Sequence, residues 1–334
     1  MTLHVAVSHY PEGVGHATRM MAVARGLERR GASVSLAGGG PGRRLYESNG
    51  YAAFEPPRVD YIGDYQGAGD PLRGLGRVLT GSLPDSLDRV RAIRSWLRRE
   101  APDAIVTDDM FTVAAAATTS VPLYVLSHNA AALYRDPIIG ASTAAINRCQ
   151  RLAADRFFYP TVWPPDEGDP PGVARVPPVA LPSPAEAPDP APADPGVALV
   201  PSTYSTSFDA LADRLRSAGH DVTLVGDHDW GPVPSLLPLL GRAEAVVCSG
   251  YSTVMEAAVA GSPCVILPAT NEQEGFARRL EPVEGFVTAE DPAAVGAVLA
   301  DPPAAPAFTN GIAAIAERMV DDLAASTTGP ERAV

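Results

Sequence analysis

Apolar residues fall along this chain in short unbroken runs of four or five, each closed by a polar or glycine-rich turn and followed by a longer stretch with helical spacing. Leu3-His4-Val5-Ala6-Val7 runs into the turn-rich loop Ser8-His9-Tyr10-Pro11-Glu12-Gly13-Val14-Gly15, and a helical pattern covers residues 17–30. Gly31 stops that helix, residues 32–37 supply the next strand, and Gly38-Gly39-Gly40 closes it. The order recurs: a helix over 83–99, the strand 104–107, Asp108-Asp109, a small-residue helix over 113–119 and the strand 123–126. Unbroken apolar strands alternating with helices predict an α/β fold with a parallel, doubly wound sheet covered on both faces.

Between about 159 and 195 the chain turns Pro-rich, with Pro164-Pro165, Pro170-Pro171 and Pro177-Pro178. Such a segment cannot hold a central strand or a long helix, so it reads as an interdomain linker. The alternation then restarts with strand 197–200, a helix over 207–217, and strands 222–225 and 245–248. The expected organisation is two Rossmann-like halves facing a cleft: residues 1–160, a linker over 161–195, a second domain over 196–306, and a last helix and tail over 307–334.

Length and charge narrow the chemistry. A chain of 334 residues is long enough for two cores. The net charge is −13 and all 26 basic residues are Arg, a composition expected of a GC-rich, salt-adapted source, and the negative field disfavours nucleic-acid backbones as partners. Cys149, Cys248 and Cys264 lack metal-ligand spacing and read as reduced thiols of a cytoplasmic protein. No apolar run reaches the length of a membrane span and no basic amphipathic helix stands out, so the chain reads as soluble, with peripheral contact at the inner membrane face left open.

Two stretches carry candidate chemistry. In Ser249-Gly250-Tyr251-Ser252-Thr253-Val254-Met255-Glu256, followed by Gly261-Ser262-Pro263, a small-residue turn after a buried strand opens a helix. With Ser252 or Thr253 as N-cap, the free amides of residues 250–253 and the positive helix end would face a diphosphate. Glu256 lies four residues after Ser252 on the same face, where a carboxylate can accept both hydroxyls of a ribose. The plainer account is an ordinary crossover with a solvated acid.

The second stretch is Gly13-Val14-Gly15-His16-Ala17-Thr18-Arg19. A dinucleotide fingerprint would need a small residue at Thr18 and an acid closing the second strand, where Ala37-Gly38-Gly39-Gly40 stands instead, which disfavours a nicotinamide or flavin cofactor. As a backbone cradle for an acceptor, the loop sets His16 at a helix entrance, where an imidazole can take a proton from an attacking hydroxyl; a capping role is the alternative. Asp108-Asp109 either ends a strand or orients His16 or an acceptor, and His128-Asn129 has the same status.

Together these motifs, with Pro268, resemble the GT-B glycosyltransferases of family 28: the MurG-type N-acetylglucosaminyltransferases and, more closely, a MurG-like group of archaeal and bacterial proteins. That group also resembles the chain at residues 102–108 and 122–129. The resemblance implies a first domain that receives the acceptor, a second that holds a UDP-sugar, and a final helix that crosses back. His16 becomes the catalytic base, and Gly13, Gly15, Asp109 and His128 acceptor contacts. Ser249, Gly250, Ser252 and Thr253 meet the diphosphate, as do Ser202 and Thr203, while Glu256 meets the ribose and Val233 marks the base contact. Glu272-Gln273 matches the pair that reads the donor sugar, whereas Phe276 replaces the family's Asn and leaves that sugar's identity open. The implied reaction is inverting transfer to a glycan or lipid-linked hydroxyl, with no metal and no cofactor beyond the UDP-sugar. A UDP-sugar epimerase or hydrolase, and a non-catalytic partner subunit, are the alternatives.

Overall fold

The computed structural model describes residues 2–59, 83–184, 191–202, 204–226 and 233–328. Among these, seven strands form a first sheet in the order β3-β2-β1-β4-β5-β6-β7. They are β1 (His4–Ser8), β2 (Ser33–Ala37), β3 (Ala53–Phe54), β4 (Ala104–Thr107), β5 (Leu123–Leu126), β6 (Arg156–Pro160) and β7 (Ala174–Val176), and every pairing is parallel. Five more, β8 (Val197–Val200), β9 (Val222–Leu224), β10 (Ala245–Cys248), β11 (Cys264–Ile266) and β12 (Phe286–Thr288), make a second parallel sheet in the order β12-β11-β10-β8-β9.

Strand alternation sends successive side chains to opposite faces. Val5 and Val7 of β1 pack in one cluster with α1 (Val14–Glu28), while Ala6 between them packs with α3 (Leu83–Glu100) and α4 (Met110–Ala116). In the second sheet Ala198 and Val200 face α8 (Tyr251–Ala260) and α9 (Asn271–Leu280), whereas Val197 and Leu199 face α6 (Phe208–Ser217). Both sheets are thus buried on both sides, which is why their strands read as unbroken apolar runs.

The Pro-rich stretch differs from a plain linker. Ala174–Val176 forms β7, so the first sheet continues past residue 160. An edge strand with one neighbour tolerates flanking prolines that a central strand would not. Beyond it, Val179 and Leu181 are buried in the first core, and this segment pairs with residues just before the last helix: Gly311 N donates to Pro178 O at 2.8 Å and Asn310 Nδ2 to Ala180 O at 2.7 Å. That last helix, α11 (Ile312–Thr328), places Ile312, Ile315, Ala316 and Met319 in the first domain's core against α1. Chain therefore crosses between the domains twice, side by side. Residues 185–190 of the linker lie outside the described residues.

Candidate active site

Each sheet reverses its strand order at one point, between β1 and β4 in the first and between β8 and β10 in the second. Loops leaving neighbouring strands there diverge and open a crevice at the carboxyl ends. The sequence motifs lie at these two crevices.

In the first, Gly13 holds φ 81°, a conformation that favours glycine, and is the N-cap of α1. Three residues apart on α1, His16 and Arg19 turn to the same side and converge on one oxygen of Asp108, just past β4. His16 Nδ1 is 2.8 Å and Arg19 Nη2 2.7 Å from Asp108 Oδ2, while Tyr10 N donates to Oδ1 at 2.8 Å. Arg19 Nη2 also lies 3.1 Å from His16 Nδ1, a spacing that follows from two donors sharing one acceptor. Burial alone would raise the Asp108 carboxyl, but His16 and Arg19 hold it well below the usual carboxylate range. An ionised Asp108 accepts from Nδ1–H of His16, which leaves the Nε2 lone pair free. The His16 side chain keeps 24% of its surface exposed against 2% for Asp108, so the base faces the cleft and its partner does not.

Asp109 is positioned otherwise. It caps α4 by accepting from Phe111 N, and it pairs with Arg89 at 2.7 Å inside the first domain, with both side chains 1% exposed. The acceptor contact expected of Asp109 is corrected on this ground: its oxygens are spent inside the fold, and Asp108 is the member of the pair that holds His16.

In the second crevice α8 begins at Tyr251, with Gly250 as N-cap and no side-chain cap. The expectation of Ser252 or Thr253 as N-cap is corrected: the helix starts two to three residues earlier, because glycine already meets the backbone requirement there. Ser252 and Thr253 therefore lie within the first turn, where amides have no intrahelical partner. Ser249 Oγ accepts from Ser202 N at 3.1 Å and bonds Ser205 Oγ at 2.5 Å, and Gln273 Nε2 donates to Ser202 Oγ at 3.3 Å. These contacts join the loops after β8 and β10 to the start of α9. Glu256 is 3% exposed, and its Oε1 has no hydrogen-bond partner among the described residues; burial pushes its carboxyl up to about 8. A buried acceptor left without a donor is costly unless a ligand supplies one. Beside Ser205, a cavity of about 280 Å³ lies between the ends of β8 and β9 and is walled by Phe208, Leu224 and Asp209.

The two crevices meet. Gly15 of α1 lies against Ser252 of α8, so closely that a Cβ on Gly15 would overlap the serine side chain, and two positive helix ends thereby face one region. His128, after β5, lies 4.5 Å from the Tyr251 ring and 5.7 Å from the His16 ring. Its Nε2 is 3.3 Å from Glu272 Oε1, and the Tyr134 hydroxyl donates to Glu272 Oε2 at 3.0 Å. Glu12 and Tyr204 close a further hydrogen bond across the cleft mouth.

Of the residues singled out in sequence, His16, Gly13, Gly15, His128, Ser202, Ser249, Gly250, Ser252, Thr253, Glu256, Glu272 and Gln273 line or border this cleft. Val233 is half-buried in the loop before α7 (Leu237–Leu240), where Asn49 Nδ2 reaches the adjacent Pro234 O at 3.1 Å. Thr203 lies outside the described residues. Phe276 is 1% exposed and presents its ring edge-on to Tyr251 at 5.8 Å, so it belongs to the second core. Sequence reasoning missed Arg19, Tyr134 and Tyr251. The i, i+3 spacing of His16 and Arg19 was the one signal available for any of them.

The family whose members carry a glycosyl transferase 4-like domain matches residues 14–188, about half of the chain. A curated relative from Methanosarcina mazei, described as an uncharacterized glycosyltransferase, is 26% identical over 118 residues, which span 35% of this chain and about a third (31%) of the relative. Among solved structures, the glycotransferase of kitacinnamycin superposes with a TM-score of 0.61 at 19% identity, covering 97% of this chain and 95% of that one. The Streptomyces sp. SF2575 glycosyltransferase SsfS6 in complex with thymidine diphosphate superposes with a TM-score of 0.58 at 17% identity, covering 97% and 96%. At these identities the structural likeness is one of fold.

Proposed function

The chain belongs to the family with a glycosyl transferase 4-like domain and has the GT-B arrangement of two facing parallel sheets; from that premise we propose that it transfers a sugar from a nucleoside-diphosphate sugar to an acceptor hydroxyl. The observation that carries this reading is His16, oriented by the buried Asp108 and facing the free amides of α8 across the cleft. The acceptor hydroxyl gives its proton to His16 Nε2 as its oxygen bonds the anomeric carbon. The bond from that carbon to the diphosphate breaks, and the leaving oxygen's charge falls to the first-turn amides and the α8 dipole. Asp108 stabilises the imidazolium that forms. In this reading the base and the leaving group act from opposite sides of the sugar, and the transfer is inverting. The first-turn amides of α8 and its helix dipole supply positive potential to the diphosphate, so the reading needs no metal or further cofactor.

Glu256, with Oε1 unpaired, suits the ribose hydroxyls, and the cavity beside Ser205 offers Phe208 and Leu224 as walls for a flat base. The diphosphate in the SsfS6 structure is that of thymidine, so a thymidine donor stands beside the uridine donor as a reading of this site. A MurG-like, lipid-linked acceptor reached at the inner membrane face is the finer form of the proposal. An intact base with its orienting carboxylate favours catalysis over a non-catalytic partner role.

Calorimetric titration with UDP and TDP tests the donor half, and His16→Ala the chemistry. Expected are binding of one or both nucleotides, a loss of about tenfold or more in Glu256→Ala, and a fall of roughly 10²–10⁴ in transfer by His16→Ala with nucleotide binding kept. Absence of binding by the wild type, or binding unchanged by Glu256→Ala, would sink the donor-site assignment.

A further inference from the structure

Glu272 opens α9 of the second domain, yet both of its oxygens are held from the first. His128 stands at Oε1 and Tyr134 at Oε2, at 3.3 and 3.0 Å. Each holder is itself fixed. His128 packs against the Tyr251 ring, tilted by 31° at 4.5 Å between centroids. Tyr134 ends the 3₁₀ turn Ala131–Leu133, whose Leu133 backbone sits so close to Gly275 that a Cβ there would overlap it. Burial, with Arg19 nearby, lowers His128 to about 4, so a neutral imidazole donates its one Nε2–H; against the raising effect of its own burial, the bonds from His128 and Tyr134 keep Glu272 ionised. A carboxylate offers about four acceptor sites, and with 29% of the Glu272 side chain exposed these two contacts leave acceptor capacity for other donors.

We infer that His128 and Tyr134 are positioning residues for the transferred sugar: by fixing Glu272 from the opposite domain they orient its remaining acceptor sites toward sugar hydroxyls, so that the first domain takes part in choosing the donor. This rests on the nucleotide-sugar reading above. Because the contact joins the two domains, opening the cleft would part Glu272 from His128 and Tyr134, which couples sugar reading to closure. A sugar that lacks hydroxyls at the matching positions covers a half-buried carboxylate without supplying donors and is rejected.

The test is calorimetric binding of UDP, TDP, UDP-glucose and TDP-glucose to the wild type, Tyr134→Phe, His128→Ala and His128→Gln, with thermal midpoints measured beside each. Tyr134→Phe and His128→Ala are expected to bind bare diphosphates within about twofold of wild type and the preferred nucleotide-sugar about tenfold more weakly. His128→Gln, which keeps an N–H donor, is expected to recover to within about threefold. Equal losses for diphosphate and nucleotide-sugar would show a general effect on closure and overturn the inference, as would no loss, or a wild type that gains nothing from either glucose donor. If the wild type binds neither UDP nor TDP, the nucleotide reading itself fails and takes this inference with it.

Discussion

Two acids in this protein show how a residue's role is decided by its neighbours. Glu256 and Asp108 are both buried, but Asp108 has His16, Arg19 and the Tyr10 amide to hold its charge, whereas Oε1 of Glu256 is left bare. Unliganded Glu256 is therefore raised from 4.5 to about 8 and is protonated in the fold at neutral pH. A raised folded value means that the group's contribution to stability is fully present below about pH 4.5 and is lost as pH rises through 8, by up to roughly 5 kcal/mol at 1.36 kcal/mol per unit. Glu256→Gln removes that loss. The variant is expected to melt above the wild type at pH 8.5, near it at pH 5, and to bind nucleotide more weakly; a lower melting temperature at pH 8.5 would show that the carboxyl has a partner in solution. Such a trade of stability for binding is common at functional sites. In sequence, the placement of His16 and Glu256 in helices that follow apolar strands was legible from the local pattern. The division of labour between Asp108 and Asp109 was not, since it depends on Arg19 from one helix and Arg89 from another.

At the scale of elements, the site is made by the starts of three helices. α1 and α8 face one another through Gly15 and Ser252, and α9 meets the 3₁₀ turn through Gly275 and Leu133. Both contacts have glycine on one side because a methyl group would hold the elements apart. Gly275→Ala would place its Cβ on the Leu133 backbone, which has no flexible end to move aside. The expected outcome is a fall of more than about tenfold in transfer together with a lower thermal midpoint, because Leu133 belongs to the apolar cluster that the two domains share. Undiminished transfer would mean that the working cleft is wider than this one. The strands and helices that the periodicity predicted lie within a few residues of those observed, since apolar periodicity reports burial directly, whereas β3, β6, β12 and the helix Pro137–Ala153 were not predicted. The start of α8 was displaced because Gly250 supplies the cap that Ser252 was expected to supply, and β7 escaped notice because prolines hide an edge strand.

At the scale of the molecule, the second domain's chain stabilises the first. α11 follows the second sheet yet seats Ile312, Ile315, Ala316 and Met319 against α1, the helix that carries His16. Ile315→Ala is expected to cost about 2–5 kcal/mol in the unfolding of the first domain, measured by denaturant titration; a cost under about 1 kcal/mol would mean that the helix is not seated there in solution. An apolar cluster also runs across the interface, where Tyr159, Val162 and Trp163 of the first domain share a core with Tyr251 and Phe276 of the second. The double crossing at Pro178, Ala180, Asn310 and Gly311 lies beside it. Relative motion of the domains is thus constrained at one side of the cleft and free only to open the other.

By itself the amino-acid order determined the two parallel α/β halves and the helices, each following an apolar strand, that carry His16 and Glu256, and it disfavoured a dinucleotide fingerprint. These follow from local periodicity, from backbone chemistry at helix ends and from the residue type closing one strand. Only the tertiary structure decided which acid serves His16, that Phe276 belongs to a core, and that Glu272 is held by His128 and Tyr134. Each of those is set by residues far apart in sequence, about 140 positions in the last case. Folding brings them within hydrogen-bond reach only when both sheets are complete and their crevices face, and no periodicity within either half records that approach.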